Sequence, residues 1–461
     1  MGNGQGNGQS SGQVGGQAGQ GLEVILDPRK DVVTSHSGES LDILLRLRAP
    51  VVEGDIKRTP LAISLVIDRS GSMGGGKLEE AKRCALDLLN RLHDEDRVSL
   101  VVYDTLIDVL LEAMPVRLAK TLMPMRLTEI EARGGTDLHA GWLKGAETLA
   151  PTAGNGVMSR VILLSDGQAN HGLVEIVPIC EQVRELASAG VTTTTVGIGM
   201  GFNEELMTAI ANAGQGNSWY GQRVEDLAES FDAEMGFLSN LVLQDVRVKL
   251  ETPLLPRMGQ IKMRNDYTKN NRGQYCLPSI AAGSEVWMGI SLSMSEVIHL
   301  QEAGSVLRCV ITVKDKMGRE HECMVSLPKM PVVTPMEYRM AQENELVARR
   351  FNEIESGDIQ REARRHVQDR NWTAVEGLIQ ELEVRAQDNP WLGETVKYLR
   401  QLLERRDHQT MEKELMYSSG KLKNRIAGLN DSVMYSMNEE AIKPAFMRKK
   451  VSQGRNSDSQ G

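Results

Sequence analysis

Hydrophobic residues along the chain change their spacing several times, and each change marks a new kind of element. From Leu22 to Pro60 they alternate with polar residues, as in Leu41-Asp42-Ile43 and Leu45-Arg46-Leu47-Arg48, the period of strands with one face buried. From residue 61 to residue 238 short, mostly apolar runs take over: Leu61 to Ile67, Arg97 to Tyr103, Ile107 to Leu111, Arg160 to Leu164, Thr192 to Ile198 and Ser218 to Gly221. Between them the apolar spacing becomes three and four, best seen at Leu78, Ala81, Ala85, Leu88, Leu89 and Leu92. Strand and helix in alternation predict an α/β unit, a doubly wound, mostly parallel sheet with helices on both faces. Ile107 to Leu111 follows Tyr103 after only a short turn, so it is expected to pair antiparallel at an edge.

After Leu241 the strand signal returns, at Gln244 to Leu250, Gln274 to Leu277, Glu285 to Leu292, Val306 to Lys314 and His321 to Leu327, with Lys316-Met317-Gly318-Arg319 as a hairpin turn. The strands of residues 22–60 are too few to stand alone. Those of residues 239–333 are therefore expected to complete one β-sandwich with them, the α/β unit of residues 61–238 being inserted between. Thr334-Pro335-Met336-Glu337 reads as a capped helix start, and a helical region is expected over 334–430, with breaks at Gly357-Asp358 and Asn389-Pro390. Its stripes, Val375, Leu378, Ile379 and Leu382, then Val396, Leu399, Leu402 and Leu403, imply a self-packed bundle or a surface for a partner helix. Residues 1–21 hold nine Gly, five Gln and no charge, and residues 431–461 are polar with a basic run from Lys443 to Arg455; both read as disordered tails.

Composition narrows the partners. A net charge of −9 and an aromatic content of 4% argue against nucleic acid, which favours a basic field and stacking platforms. The five cysteines, Cys84, Cys180, Cys276, Cys309 and Cys323, lack paired metal spacing and read as reduced thiols. No uncharged apolar run is long enough to span a bilayer, the N-terminus lacks the pattern of a signal peptide, and Gly6 stands where a myristoylation signal wants Ser or Thr. The expected location is the cytoplasm.

The candidate chemistry lies where the apolar run Leu61 to Ile67 enters a polar loop, Asp68-Arg69-Ser70-Gly71-Ser72. Asp68, Ser70 and Ser72 alternate, so a turning backbone can aim their oxygens at one point, and ligands of open α/β sheets sit at such strand ends. An oxygen-only set suits a hard divalent cation. Two further segments fit: Gly134-Gly135-Thr136-Asp137, a glycine-hinged loop opening a helix, and Val161 to Leu164, a buried run leading into Ser165-Asp166-Gly167. The plainer alternative is that Asp68 and Ser70 cap one helix and Thr136 the next. Asp137 is read as a helix cap, Asp104 as a rim group or one acting behind the ligands, and His139 and His171 as neighbours without ligand spacing.

The order DxSxS, GGT, then a strand ending in SDG resembles the von Willebrand factor type A domain with its metal-ion-dependent adhesion site. The resemblance implies direct metal contacts from Ser70, Ser72 and Thr136, with Asp68 and Asp166 acting mostly through water, and Mg²⁺ or Mn²⁺ as the ion. The insertion in a sandwich is similar to that of inter-alpha-trypsin-inhibitor heavy chains and bacterial proteins of this class, and more distantly to the integrin β chain. Integrin-type sites often add a second metal through acids after the DxSxS; Gly74-Gly75-Gly76-Lys77 stands there and does not support one.

Neutral hydroxyl donors leave an ion electrophilic, so the expected function is a non-enzymatic module whose metal accepts Asp or Glu from a partner protein. An adaptor or assembly factor for a AAA+ ATPase is the alternative, as the resemblance to bacterial relatives implies; the chain has no GxxxxGK[ST] of its own. A metal-dependent phosphohydrolase is disfavoured, because Ser70 replaces the acid expected two after Asp68 and no lysine is spaced to act as general acid.

Overall fold

The structure, a computed structural model, describes residues 14–428 apart from 19–20, 35–39, 51–57, 154–155, 200–201, 222–223, 252–260, 294–296, 299–305, 388 and 425–426. Two sheets, antiparallel throughout, enclose one apolar core. The first contains β1 (Val14–Ala18), β2 (Leu22–Pro28), β4 (Ser40–Arg48), β15 (Ser284–Ser293) and β12 (Lys262–Met263) in that spatial order, with β19 (Ala427–Gly428) also on β15. The second contains β13 (Tyr275–Leu277), β11 (Leu241–Glu251), β16 (Arg308–Asp315) and β17 (Glu320–Ser326), with β14 (Ile280–Ala281) also on β11. A short parallel pair, β3 (Val33–Thr34) with β18 (Val332–Val333), ties the two ends of this part of the chain.

Pairing across the insertion is extensive. Leu45 sits opposite Met288 and Ile43 opposite Ile290, and these side chains share a core with Val246, Val248, Ile311 and Val313 of the facing sheet. Val14–Ala18, read from the sequence as part of a disordered Gly/Gln tail, instead pairs with β2. A ladder needs only backbone N–H and C=O groups, so a Gly/Gln segment can extend a sheet while burying little. The basic tail of residues 431–461 lies outside the described residues.

The inserted sheet runs β10 (Gln215–Gly221), β9 (Val191–Ile198), β8 (Met158–Ser165), β5 (Leu61–Asp68), β6 (Arg97–Tyr103), β7 (Ile107–Pro115). Every neighbouring pair is parallel except β6 with the edge strand β7. All of β5 and β8 is buried, because helices cover both faces. Helices α1 (Lys77–Arg91), α2 (Val116–Thr128) and α6 (Val224–Ser239) pack on one face, and α3 (Leu138–Leu149), α4 (Ile176–Ser188) and α5 (Glu204–Ala213) on the other. The chain leaves β5 toward β6 on one side and takes up β8, β9 and β10 on the other. The strand order thus reverses between β5 and β8, and their carboxyl ends frame a crevice there.

The C-terminal region comprises α7 (Pro335–Met340), α8 (Glu345–Gln368), α9 (Trp372–Arg385), α10 (Pro390–Arg405) and α11 (His408–Asn424). Thr334 and Glu337 close the expected capping box, and the break before Pro390 is present. The stripes Val375, Ile379, Leu382, Val396, Leu399 and Leu402 bury one another with Met411 and Leu415. The break expected at Gly357-Asp358 is absent: α8 runs straight through it. A Cβ on Gly357 would lie 2.8 Å from the Lys423 side chain and 3.1 Å from the Ser419 carbonyl, so this glycine admits α11 at close range. Val347 and Phe351 of α8 pack on Leu44 and Trp287 of the sandwich. Tyr417 of α11 reaches the inserted unit, its ring 6.2 Å from that of Phe202.

Candidate metal centre

Asp68 ends β5 fully buried, with both carboxylate oxygens engaged: Oδ1 accepts from the Ser70 N–H at 2.8 Å and Oδ2 from the Ser165 hydroxyl at 2.6 Å. Burial raises its pKa from the usual carboxylate range; the hydrogen bonds from Ser165 and Ser70 oppose the rise, and the charge of Asp166 adds to it. The loop then turns through a short 3-10 helix, Gly71–Met73. That turn sets Ser70 Oγ 3.0 Å from Ser72 Oγ, and Ser72 Oγ donates to Asp166 Oδ1 at 3.1 Å.

Thr136 arrives from the other side of the crevice. The Gly71 N–H donates to the Gly134 carbonyl at 3.1 Å, and the Thr136 N–H donates to Asn170 Oδ1 at 2.8 Å, while its carbonyl accepts from the Asn170 and His171 N–H groups. The first loop, the glycine-hinged loop and the segment after β8 are therefore stitched together by backbone bonds. Neither serine nor Thr136 caps a helix through its side chain. Ser70 makes no such bond, α1 begins at Lys77 after Gly76 with no side-chain cap, and α3 is capped by Asp137, as expected from the sequence. The helix-cap alternative for Ser70 and Thr136 is set aside on those grounds.

The hydroxyl of Thr136 is fully buried and has no hydrogen-bond partner among the described residues. Such an orphan costs about 1–3 kcal/mol. Among the described residues no group of three or more His, Cys, Asp or Glu is placed to hold a metal, so a cation site here has to draw on hydroxyls. The donor set fits that requirement. Ligands of an octahedral Mg²⁺ at 2.0–2.1 Å stand about 3 Å from their neighbours. The two separations in the Ser70, Ser72 and Asp166 row match that edge.

Residues 62–233 match the family model of the von Willebrand factor type A domain. The inserted unit is a von Willebrand factor type A domain. A Synechocystis protein described as uncharacterised is 31% identical over 196 residues, covering 42% of this chain and 46% of that one. Inter-alpha-trypsin inhibitor heavy chain H3 of Mus musculus is 28% identical over 238 residues, 49% of this chain and 25% of its own. The chain thus spans less than half the length of these relatives. Among solved structures, a von Willebrand factor type A protein from Catenulispora acidiphila aligns with TM-score 0.66 at 16% identity, covering 89% of this chain and 98% of that one. The ArnB paralog VWA2 from Sulfolobus acidocaldarius aligns with TM-score 0.57 at 16% identity, covering 86% and 98%. Both alignments extend well past the von Willebrand factor type A domain, so the sandwich and the helical region share in the likeness of fold.

Around the rim of this domain Asp104 gathers cations. It accepts from Arg69 Nε at 2.8 Å, Arg133 Nε at 2.9 Å and the Leu106 N–H at 2.6 Å. Burial alone would raise its pKa, but the Leu106 N–H, Arg133 and Arg69 together hold it below the usual carboxylate range. Asp104 is thus committed to bracing Arg69 and Arg133. His139 Nε2 lies 2.9 Å from Gln182. Lys77 escaped the reading of the sequence: its ammonium donates to Asp166 Oδ2 at 2.9 Å and to the Ser72 carbonyl at 3.0 Å. Lysines enter the sequence reading only as general acids for a hydrolase built on Asp68, and Lys77 contacts Asp166 instead. A lysine on the first residue of a helix, where the dipole favours acids, is a local oddity that does not by itself name Asp166 as its partner. Ser165 and Asn170 were also missed as supports; each holds a site loop by a hydrogen bond that no spacing rule encodes.

Proposed function

We propose that the von Willebrand factor type A domain of this chain binds a partner protein through a Mg²⁺ or Mn²⁺ ion held by Asp68, Ser70, Ser72, Thr136 and Asp166. The observation that carries this reading is the buried Thr136 hydroxyl, without a hydrogen-bond partner among the described residues, on a loop that Gly134 bonds to the loop carrying Ser70 and Ser72. When bound, such an ion supplies a Lewis-acidic centre with a position open to a carboxylate from outside. Ser70, Ser72 and Thr136 offer neutral oxygens, Asp166 offers Oδ1, and Asp68 orients the loop through the Ser70 N–H. Asp or Glu on the partner completes the charge that these hydroxyls leave unmet.

No bond is broken in this reading. Asp68 is an unsuitable nucleophile for a phosphohydrolase, since it is fully buried and both its oxygens already accept hydrogen bonds. An ATPase adaptor role would draw on the helical region, yet the stripes that suggested a docking surface are buried against one another.

Calorimetric titration of the full chain with Mn²⁺ tests the metal, and affinity purification with Mg²⁺ and again with EDTA tests the partner. Uptake by wild type and none by Asp166→Ala is expected, together with a partner released by EDTA. Equal uptake by both proteins, or a partner retained in EDTA, would overturn the reading.

A further inference from the structure

We propose that Lys77 is a tethered cation of this same site: it takes one oxygen of the Asp166 carboxylate and so weakens the hold of the domain on its metal. This rests on the metal-binding reading above.

The placement of Lys77 is built. It is the first residue of α1, where a cation opposes the helix dipole, while Glu79 and Glu80 follow the ordinary preference. A residue that breaks a local rule asks for a compensating contact, and the ammonium has two, Asp166 Oδ2 at 2.9 Å and the Ser72 carbonyl at 3.0 Å. The aliphatic stem lies against Gly199: a Cβ at that position would meet it at 3.2 Å, and the backbone there has a φ of +82°, which suits glycine. The side chain is 28% exposed, so the charge is held within the crevice and not free in solvent.

The chemistry follows from how Asp166 is divided. Oδ1 faces Ser72 Oγ and Oδ2 faces Lys77. The other proposed donors are neutral hydroxyls, apart from Asp68, whose oxygens are both engaged. Asp166 is the carboxylate whose oxygen stands in the row with the Ser70 and Ser72 hydroxyls, which makes it the main anionic donor on offer, and a fixed positive charge on its second oxygen both drains that donor and repels a dication. With Lys77 in place the protein alone is a poor chelator. An incoming carboxylate restores the missing negative charge, so metal and partner are taken up together. This places the dependence of metal affinity on the partner in one side chain.

The test is a Mn²⁺ titration of the full chain as wild type, Lys77→Met, Lys77→Arg and Asp166→Ala, read by calorimetry and by the loss of the free Mn²⁺ signal in electron paramagnetic resonance. Charges at this range shift binding equilibria by about tenfold or more. Lys77→Met is therefore expected to bind Mn²⁺ about tenfold more tightly than wild type, with Lys77→Arg near wild type and Asp166→Ala silent. A gain of affinity is a readout that loss of a merely structural ion pair would not give. Lys77→Gln repeats the test should the methionine variant fold poorly. Equal or weaker binding by Lys77→Met and Lys77→Gln, with Asp166→Ala still silent, overturns the role of Lys77 and leaves the metal site standing. Wild type and Lys77→Met both failing to take up Mn²⁺ overturns both.

Discussion

The guanidinium of Arg160 on β8 and the carboxylate of Glu234 on α6 form an ion pair that is wholly buried between sheet and helix. Thr192 and Thr194 on β9 accept from the guanidinium at 3.0 and 3.3 Å, and the Thr194 hydroxyl also donates to Glu234 at 3.0 Å. Asn217 on β10 donates to the second carboxylate oxygen. Three strands and the last helix of the von Willebrand factor type A domain are thus pinned at one point. Glu234→Ala strands a buried cation, and breaking such a pair costs about 3–5 kcal/mol. Urea unfolding should show a midpoint lowered accordingly, with Arg160→Met, Glu234→Leu together recovering much of the loss; full stability in Glu234→Ala would contradict the pin.

Thr136 separates stability from binding. Thr136→Val keeps the shape of the side chain and deletes a buried hydroxyl that has no hydrogen-bond partner among the described residues. That protein is expected to gain about 1 kcal/mol in EDTA. In excess Mn²⁺ the order should reverse, because wild type gains the binding free energy and the valine variant does not. Thermal melts of both proteins, with chelator and with Mn²⁺, check the crossing.

An acid limb is expected from the sandwich. Burial alone would raise the pKa of Asp315, but hydrogen bonds from His321, Arg319 and the Met317 N–H hold it down to about 2. A carboxyl whose folded pKa lies below its unfolded value of 3.8 stabilises the fold above that value. The contribution is lost as pH falls from about 4 to about 2. Denaturant melts across this range should show a shallower decline in Asp315→Asn than in wild type.

Tyr417 ties α11 to the inserted domain by packing on Phe202, with Lys413 at 3.2 Å from Glu204 beside it. Truncating a buried aromatic of this kind costs about 3 kcal/mol. Hydrogen exchange in Tyr417→Ala should quicken in residues 204–213 and 408–424 together, and leave the β4 and β15 pairing unchanged.

What the sequence made legible depended on whether a signal was local. The runs that became β5 and β8 are buried on both faces and so are continuous in apolar residues, which made the strands, and the points where loops leave them, readable. Gly357 misled because glycine serves two ends, breaking a helix or letting another helix approach, and only the position of α11 decides between them. Lys77 was passed over because its partner, Asp166, lies 89 residues away across a strand order that spacing cannot reveal. β1 was hidden because backbone pairing with β2 leaves no trace in side-chain pattern.

The Asp166 carbonyl accepts from the Asn203 N–H at 2.8 Å, and the neighbouring Phe202 rests on Tyr417. The crevice end of β8 and helix α11 are therefore joined through two neighbouring residues, Phe202 and Asn203, by a route that includes neither sandwich sheet. Because α11 also closes against Gly357, one helix couples the carboxyl-end rim of the inserted sheet to the middle of α8.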